Sequence, residues 1–298
     1  MEFGKTPFFK DVEFTLPKDK NNLGFFYHEK INVFLGTPQW NQKEWLGRIY
    51  PKGTKGSDTL RLYSERFNSI ELNSTHYALP SKERVDIWRE VTSSNFKFSP
   101  KIPQRISHHG LRNIKSEFDL FIRTVMGFKE KLGLSFLQLP PEFSFSDYRF
   151  LKSFLDILPK DFELALEFRN PSFFNRGQLQ DKVFDLLVSR GVSTVITDTA
   201  GRRDVLHSSL TTDKVILRFV GNDHNNTDFM RLDDWVTRIG SWYEQGLKDF
   251  YFFSHAPNNI HSIDLAQKYV HLMNKEYGIE IIDPLEKELN EIKQINLL

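Results

Sequence analysis

Short runs of β-branched and aromatic residues recur along the sequence at similar intervals, with longer amphipathic stretches between them. We predict that eight of these runs are strands, at residues 31–37, 69–73, 96–102, 134–140, 164–170, 193–198, 215–221 and 249–255. Their centres lie on average about 31 residues apart, the spacing of eight β-α units in a barrel of roughly 250 residues. An open doubly wound sheet is the alternative, but the G-x-G-x-x-G phosphate turn typical of it does not occur in the sequence. We therefore predict an α/β fold of the (β/α)8 TIM-barrel class.

The predicted barrel is a single domain that spans residues 1–298, with its core at about 31–278. Residues 1–30 are expected to form an N-terminal extension, and the charged residues 279–298 a C-terminal tail. Most stretches between the strands have helical periodicity, and several end at a glycine, such as Gly191. Residues 199–214 have no clear helical period, so the unit between the sixth and seventh strands is the weakest part of the pattern.

The composition is that of an ordinary globular protein, with 39% hydrophobic and 27% charged residues. The longest apolar runs are far shorter than the roughly 20 residues of a membrane-spanning helix, and no signal peptide is expected. The sequence has no cysteine, which excludes disulfides, thiol catalysis and thiolate metal sites and fits a reducing compartment. A net charge of +1 gives no overall attraction to nucleic acid or membranes. We expect a soluble, cytoplasmic protein without a membrane partner.

Polar residues lie on one face of several predicted strands, near the carboxyl end of each. Because side chains alternate across a strand, Glu71 and Asn73 share the face opposite to Ile70 and Leu72. The apolar face should contact the helices, so the polar face should point into the barrel. The same argument, or a position at the end of a strand, gives a polar ring of Glu71, Asn73, Ser99, Lys101, Gln138, Glu167, Arg169, Asp198, Arg218 and His255. Barrel enzymes carry their catalytic groups at this end; the alternative is an internal salt-bridge network.

The ring combines three carboxylates with three permanent cations and one histidine. Two carboxylates that face each other raise the pKa of one of them. Glu71 and Glu167 are therefore candidates for the acid and base of a reaction, or for its acid and nucleophile. Asp198 is the third candidate catalytic carboxylate. Alternatively, each carboxylate pairs with a lysine or arginine of the ring and stays ionised.

Several segments of the sequence together resemble a known family. They read FLGTPQW, FNSIELNSTHYALPS, FKFSPKIPQRISH, LSFLQLPPEF, LALEFRNPSFF and VILRFVG, and they follow the family's order between about residues 31 and 275. This combination resembles the YecE-like domain-of-unknown-function family 72, which implies a TIM barrel and brings no established reaction or substrate. The positions that match its motifs are Thr37, Trp40, Glu71, Asn73, Tyr77, Lys101, Gln138, Glu167, Arg169, Asp198 and Arg218. One departure is the last strand, which ends Phe253-Ser254-His255 where the family commonly has an Asn-Asn-His type of ending.

We favour a small-molecule enzyme of the hydrolase, lyase or isomerase kind, acting at the mouth on an anionic or sugar-like substrate. Arg169 and Arg218 can hold a carboxylate or phosphate through paired hydrogen bonds, with Lys101 as a further positive charge. Glu71 or Glu167 would transfer the proton. The other candidate contacts are the orienting amides, the loop side chains and the last histidine, namely Asn73, Gln138, Thr37, Trp40, Tyr77 and His255. No cofactor and no bound metal are predicted.

Two other classes of function remain as alternatives. A metal-dependent phosphodiesterase or nucleic-acid repair activity would use Glu71, Glu167, Asp198 and His255 as ligands of a divalent ion. The sequence has no H-x-H or H-E-x-x-H spacing, and the cations of the ring compete with a metal, so a nucleic-acid partner is not expected. A non-catalytic ligand-binding protein would keep the cationic contacts and would need no free carboxylate.

Overall fold

The computed structural model describes residues 6, 12–23, 30–223, 226–257 and 259–285, and its centre is a set of parallel strands. Each strand overlaps one of the runs predicted from the sequence. In chain order they are β1 (Asn32–Gly36), β2 (Ser69–Leu72), β3 (Lys97–Pro100), β4 (Ser135–Gln138), β5 (Leu164–Glu167), β6 (Ser193–Asp198), β7 (Lys214–Val220) and β8 (Asp249–His255). Most of their residues are buried on both faces of the strand, as expected for parallel strands covered by helices.

The parallel sheet is interrupted at two points. Six strands follow the order β1-β8-β7-β6-β5-β4, and β2 and β3 form a separate parallel pair. Backbone hydrogen bonds bridge both interruptions: the Glu71 amide donates to the Thr37 carbonyl at 3.1 Å, and the Ile102 amide donates to the Phe136 carbonyl at 2.8 Å. The protein is thus an α/β fold with a parallel central sheet. The regular closed ladder that the TIM-barrel prediction requires is not formed by the described residues.

Helices follow most of the strands, largely where the periodicity predicts them. Their bounds are α1 (Thr59–Ser64), α2 (Ser74–Tyr77), α3 (Lys82–Val91), α4 (Gln104–His108), α5 (Lys115–Val125), α6 (Tyr148–Asp156), α7 (Asp181–Ser189), α8 (Asn226–Glu244) and α9 (Ser262–Tyr277). The start of α3 is capped by the Ser81 hydroxyl, which accepts a hydrogen bond from the Arg84 amide at 3.3 Å. Gly278 follows the last residue of α9, and its φ of 62° is a left-handed conformation that glycine adopts without strain.

The connection between β6 and β7 contains no α-helix, in line with the weak periodicity noted there. It contains a 3-10 turn at Arg203–Val205 and a two-residue strand at Ser209–Leu210. This short strand pairs in parallel with Lys20–Asn21 of the N-terminal extension. Arg238 of α8 forms an ion pair with Asp19 of the same extension. The extension therefore packs on the sector of the fold where a helix is missing.

Apolar side chains fill the space inside the strands below the predicted polar ring. These inner residues are Phe34, Leu134, Phe136, Ala165, Val195, Ile216, Tyr251 and Phe253, and they form a cluster separate from the larger apolar layer between strands and helices. Ile216 lies two residues before Arg218 on β7, and Phe253 lies two residues before His255 on β8. Alternation along the strand therefore directs both polar side chains into the same inner space.

The packed core continues past the predicted boundary at residue 278. Ile279 is 9% exposed and Asp283 is 6% exposed, and the Asp283 carboxylate accepts hydrogen bonds from Gln267 of α9 at 3.1 and 3.0 Å. The rest of the predicted tail, residues 286–298, lies outside the described residues. Among the helices of the described residues, none combines the length and apolar character that a membrane span requires.

Candidate functional site

A buried arginine lies at the centre of the polar ring. Arg218 of β7 has no exposed surface. Its Nε and Nη2 atoms donate to Oε2 and Oε1 of Glu71, each at 3.0 Å, and its Nη1 donates to Oε2 of Glu167, also at 3.0 Å. One guanidinium therefore joins the carboxylates of β2 and β5 across the inside of the fold. Paired hydrogen bonds of this kind combine charge with a fixed geometry.

Five further side chains extend this network, which we call the mouth cluster. Its members are Glu71, Asn73, Lys101, Gln138, Glu167, Arg169, Arg218 and His255. On one side, Oε1 of Glu71 accepts a hydrogen bond from Nδ2 of Asn73 at 2.8 Å. Oε2 of Glu71 lies 2.7 Å from Nε2 of His255. Each oxygen of the Glu71 carboxylate therefore has two hydrogen-bond partners.

On the other side, Glu167 is bound by an arginine and an amide. Its Oε1 accepts from Nε of Arg169 at 2.8 Å, and its Oε2 accepts from Nε2 of Gln138 at 2.7 Å. The same amide accepts from Nζ of Lys101 through its Oε1, at 3.0 Å. All eight residues of the cluster are members of the predicted ring, and the structure brings them together.

The two carboxylates of the mouth cluster are ionised at neutral pH. Burial alone would raise the pKa of Glu71, but Arg218 and His255 together outweigh burial and hold this pKa well below its usual range. Burial would also raise the pKa of Glu167, but Arg169 and Arg218 lower it to about 2. Each carboxylate pairs with a cation and stays ionised. This was the alternative to a raised pKa at Glu71 or Glu167. Carboxylates held in this way are weak proton acceptors, so the acid–base role predicted for Glu71 and Glu167 is not what the geometry favours.

Arg218 holds the mouth cluster together and is closed off from an incoming anion. Its Nε, Nη1 and Nη2 atoms each donate to a carboxylate of the protein, and the side chain is closed off from solvent. The predicted contact between Arg218 and a substrate anion is therefore corrected, because Glu71 and Glu167 already occupy that position.

Lys101 differs from the other charged members because its partner is a neutral amide. The residue is 6% exposed, and its hydrogen bond runs to Gln138. No carboxylate of the described residues lies within 4.0 Å of its Nζ atom. Burial, and after it the charge of Arg218, lowers the pKa of Lys101 to about 8. Part of this lysine is therefore an uncharged amine at pH 7 to 8.

The mouth cluster has an excess of positive charge. Arg169, Arg218 and the protonated form of Lys101 face two carboxylates, and both carboxylates are ionised. Burial lowers the pKa of His255, so this ring is uncharged at neutral pH and does not change the balance. Among the described residues, no three histidine, aspartate or glutamate side chains are grouped as they are around a metal ion.

His76 lies beside the mouth cluster, although we did not predict it as a site residue. Its Nδ1 atom is 2.8 Å from the carbonyl oxygen of Ile102, which follows β3. Burial, and after it the positive charge of Lys101, lowers the pKa of His76 to about 4. The neutral ring therefore donates through Nδ1 and keeps its lone pair on Nε2. The sequence feature that could have predicted His76 is its position directly after β2, because the segments that follow barrel strands form the mouth.

An open cavity of about 550 Å³ adjoins the site at His76. Tyr77 and His108 also line this cavity. The Tyr77 side chain is 80% exposed, and its ring packs edge-on against that of His76 with the centroids 5.2 Å apart. The structure thus places Tyr77, a predicted pocket wall, at the rim of the site and outside the mouth cluster.

Asp198 lies on the opposite face of β6 and belongs to a second cluster. Val195 faces the interior, so alternation turns Asp198 toward the helices. Its carboxylate accepts hydrogen bonds from Arg231 Nη1 at 2.8 Å and Trp235 Nε1 at 2.6 Å, both on α8, and forms an ion pair with Arg203. The prediction that Asp198 joins the ring is corrected accordingly. Its three partners were not predicted.

Two loop residues predicted to contact the substrate are anchored against helices. The Thr37 amide donates to the Tyr63 hydroxyl of α1 at 2.8 Å, and the Thr37 hydroxyl donates to the Gln39 carbonyl at 2.7 Å. Trp40 packs edge-on against Trp88 of α3, with the ring centroids 5.4 Å apart. Both residues fix the loop after β1. The Thr37 carbonyl accepts a hydrogen bond from the Glu71 amide, but neither side chain joins the mouth cluster.

Known proteins resemble this chain over most of its length. The family model described as protein of unknown function DUF72 matches residues 34–289. UPF0759 protein YecE of Escherichia coli (strain K12) is 31% identical over 260 residues, which are 81% of this chain and 91% of that protein. UPF0759 protein YunF of Bacillus subtilis (strain 168) is 28% identical over 155 residues, which are 48% of this chain and 52% of that protein.

Solved structures share the fold. A crystal structure of a DUF72 family protein from Enterococcus faecalis V583 has a TM-score of 0.66 at 19% identity, and covers 82% of this chain and 96% of that one. A second crystal structure of that protein gives 0.60 at 18% identity. The resemblance seen in the sequence motifs is therefore confirmed: the chain belongs to the DUF72 family of proteins of unknown function.

Proposed function

We propose that the mouth cluster binds a small anionic molecule, and that the protein acts on it as an enzyme of the hydrolase, lyase or isomerase kind. The observation that carries this proposal is Lys101, a buried cation whose hydrogen-bond partner is the neutral amide of Gln138. Glu71 and Glu167 raise the pKa of Lys101 but do not outweigh its burial, so the buried ammonium group is only partly compensated and costs free energy. An anion bound beside Nζ would remove much of this cost, and the excess positive charge of the cluster would attract it.

Arg169 is the second cation that we assign to the bound anion. Its side chain is 12% exposed, whereas that of Arg218 has no exposed surface. A guanidinium suits the planar geometry of a carboxylate or phosphate. Gln138 and Asn73 are partly exposed at the same level of the fold and would orient hydroxyl or carbonyl groups of the substrate.

Lys101 is the group to which we assign proton transfer. A pKa of about 8 lies close to neutral pH, where a side chain can both accept and return a proton. Glu71 and Glu167 then have a positioning role, because they hold Arg218 and the amides around the lysine. The acid–base function thus passes from the two carboxylates to the lysine.

We also infer that the eight strands form a closed (β/α)8 barrel. The parallel strand order, the backbone hydrogen bonds that link β1 to β2 and β3 to β4, and the separate apolar cluster inside the strands support this inference. In a closed barrel the carboxyl ends of all strands meet at one mouth, the position at which barrel enzymes act. The mouth cluster lies at these strand ends.

The proposed binding can be tested by thermal unfolding at constant ionic strength. Sodium chloride would be replaced stepwise by phosphate, sulfate, pyruvate or a sugar phosphate. We expect at least one of these anions to raise the Tm with saturation, and the effect to be lost in Lys101→Met and Arg169→Met. Lys97→Met is the matched control, because Lys97 lies on β3 but donates to the Glu130 carbonyl away from the site.

If no anion stabilises the wild-type protein more than chloride does, the mouth is not an anion site. The same conclusion follows if Lys101→Met and wild type respond equally.

A further inference from the structure

Two lysines of this protein are equally buried but are held differently. Lys101 and Lys131 are each 6% exposed. Nζ of Lys131 donates to the carbonyl oxygens of Arg89 and Thr92 at 2.7 Å each, and to the Thr92 hydroxyl at 3.1 Å. All three of its N–H groups have an acceptor, as a structural ammonium group requires. Nζ of Lys101 has one acceptor among the described residues, Oε1 of Gln138.

The position of Lys101 suits a nucleophile. The residue directly follows β3, and its partner Gln138 ends β4, so the amine lies at the carboxyl ends of the strands. Lys101 and Arg169 are joined through two shared partners. Lys101 donates to Oε1 of Gln138 at 3.0 Å, Nε2 of Gln138 donates to Glu167 at 2.7 Å, and Arg169 donates to the same carboxylate at 2.8 Å. A substrate held by both cations must carry its anionic group and its reactive group close together.

We propose that Lys101 is a nucleophile that forms an imine with a small 2-oxo acid, an inference that rests on the proposed binding of an anion at the mouth. In a 2-oxo acid the carboxylate is bonded directly to the carbonyl carbon. The carboxylate contacts Arg169 while the carbonyl carbon faces Nζ. Gln138 stays hydrogen-bonded to the nitrogen and keeps it directed toward the mouth.

The reaction balances without an added reagent. The ammonium group of Lys101 first releases a proton, and the lone pair of the neutral amine forms the N–C bond while the carbonyl π electrons move to oxygen. A proton passes from nitrogen to that oxygen. The nitrogen lone pair then expels hydroxide, which takes up the proton released at the start and leaves as water. The products are a protonated imine on Lys101 and one water molecule.

The imine explains why a lysine, and not a carboxylate pair, is the reactive group. A protonated imine withdraws electrons from the adjacent carbon, so that a bond to this carbon can break with the electron pair moving toward nitrogen. This chemistry belongs to the lyase kind among the proposed activities. Ionised Glu71 and Glu167 lie close enough to act on the charge of the lysine, and they would stabilise the positive imine.

The imine can be trapped by reduction. The full-length protein would be incubated with pyruvate and sodium cyanoborohydride, digested and analysed by mass spectrometry. We expect a secondary amine at Lys101, with a mass increase equal to that of pyruvic acid less one oxygen atom. Lys97 and Lys131 serve as controls in the same sample and should remain unmodified. Acetone, which has the ketone but no carboxylate, should modify Lys101 at least about tenfold less.

A charge-conserving variant separates binding from bond formation. Lys101→Arg keeps a positive donor for Gln138 but has no amine that forms an imine. It should retain the rise in Tm with pyruvate and give no reduced adduct. Circular dichroism of this variant and of Lys101→Met shows whether each one folds.

Three results would overturn the inference. A rise in wild-type Tm with pyruvate but no adduct at Lys101 would reject the imine and leave anion binding intact. Neither a rise nor an adduct would reject both. Equal modification of Lys101 and of exposed lysines would show non-specific chemistry and would also reject the imine.

Discussion

Arg218 donates two hydrogen bonds of 3.0 Å to the carboxylate of Glu71, and neither side chain has any exposed surface. The two residues are 147 positions apart in the sequence, on β7 and β2. A pair of this kind is costly to break on one side, because the charge that remains is buried without a partner. This pair therefore fixes the geometry in which the other members of the mouth cluster are held.

The first prediction concerns the loss of this arginine. Arg218→Met leaves two ionised, buried carboxylates without their common partner, and should lower the free energy of unfolding by roughly 3–5 kcal/mol. Urea denaturation at neutral pH measures this change. Arg61→Met is the control, because Arg61 pairs with Glu65 on the surface of α1 and should change the stability by at most about 1 kcal/mol. A similar small effect at Arg218 would show that the cluster is not structurally coupled.

The opposite result is expected for the lysine of the same cluster. Lys101→Met removes a buried cation that has no carboxylate within 4.0 Å among the described residues. The methionine that replaces it is apolar and similar in length. In chloride buffer the variant should be at least as stable as the wild type, since a charge kept for function destabilises the empty site. Thermal unfolding of both proteins tests this. A clear loss of stability in the variant would assign Lys101 to the structural network.

A third prediction concerns the dependence of stability on pH. Burial lowers the pKa of His207 to about 4, against the raising effect of its hydrogen bond to the Val195 carbonyl. The unfolded chain, with an ordinary histidine pKa near 6.5, binds this proton more tightly than the folded protein does. The contribution of uncharged His207 to the stability of the folded protein is therefore complete above about pH 6.5 and is lost as the pH falls toward about 4.

The comparison with His207→Gln isolates this contribution. Between pH 7 and pH 4 the variant should lose less stability than the wild type, by roughly 2–3 kcal/mol. Unfolding free energies from urea titrations at several pH values give both curves. Parallel curves would mean that His207 is protonated equally in the folded and unfolded states.

The last prediction concerns the approach of β1 to β2. A Cβ atom added at Gly36 would lie 2.4 Å from the backbone oxygen of Ser69 and 3.1 Å from the Phe253 ring. Gly36→Ala should therefore force the two strands apart and cost roughly 1–3 kcal/mol. At Gly56 no atom lies within 4 Å of the added Cβ, so Gly56→Ala is the matched control. Equal melting temperatures for the two variants would contradict the close contact between these strands.

The inner face of a strand could be predicted where its two faces differ in polarity. Glu71 lies between Ile70 and Leu72, and Arg218 lies between Leu217 and Phe219, so alternation assigns each charge to one side. The sequence of β6, STVITD, has apolar residues on both faces, and it gives no direction for Asp198. That carboxylate consequently points to α8 instead of the mouth.

The role of each residue in the mouth cluster depends on how deeply its side chain is buried and on which partner it binds. The alternation of side chains along a strand predicts neither. Arg218 and Lys101 both face inward, but the arginine donates to two carboxylates and the lysine donates to an amide. These differences arise from the rise and tilt of neighbouring strands, which set the height of each side chain. The same limitation applies to His76, since only the packing of α2 on the segment after β3 brings it to the site.

The pairing of Lys20–Asn21 with Ser209–Leu210, and of β1 with β8, has a consequence for how the protein is made. Residues 20–36 leave the ribosome long before residues 209–255, so both segments must wait for their partners while the rest of the chain is translated. An unpaired strand edge exposed during that interval can associate with other chains. Slow translation should therefore increase the amount of insoluble protein, and the final fold is completed only after almost the whole chain has emerged.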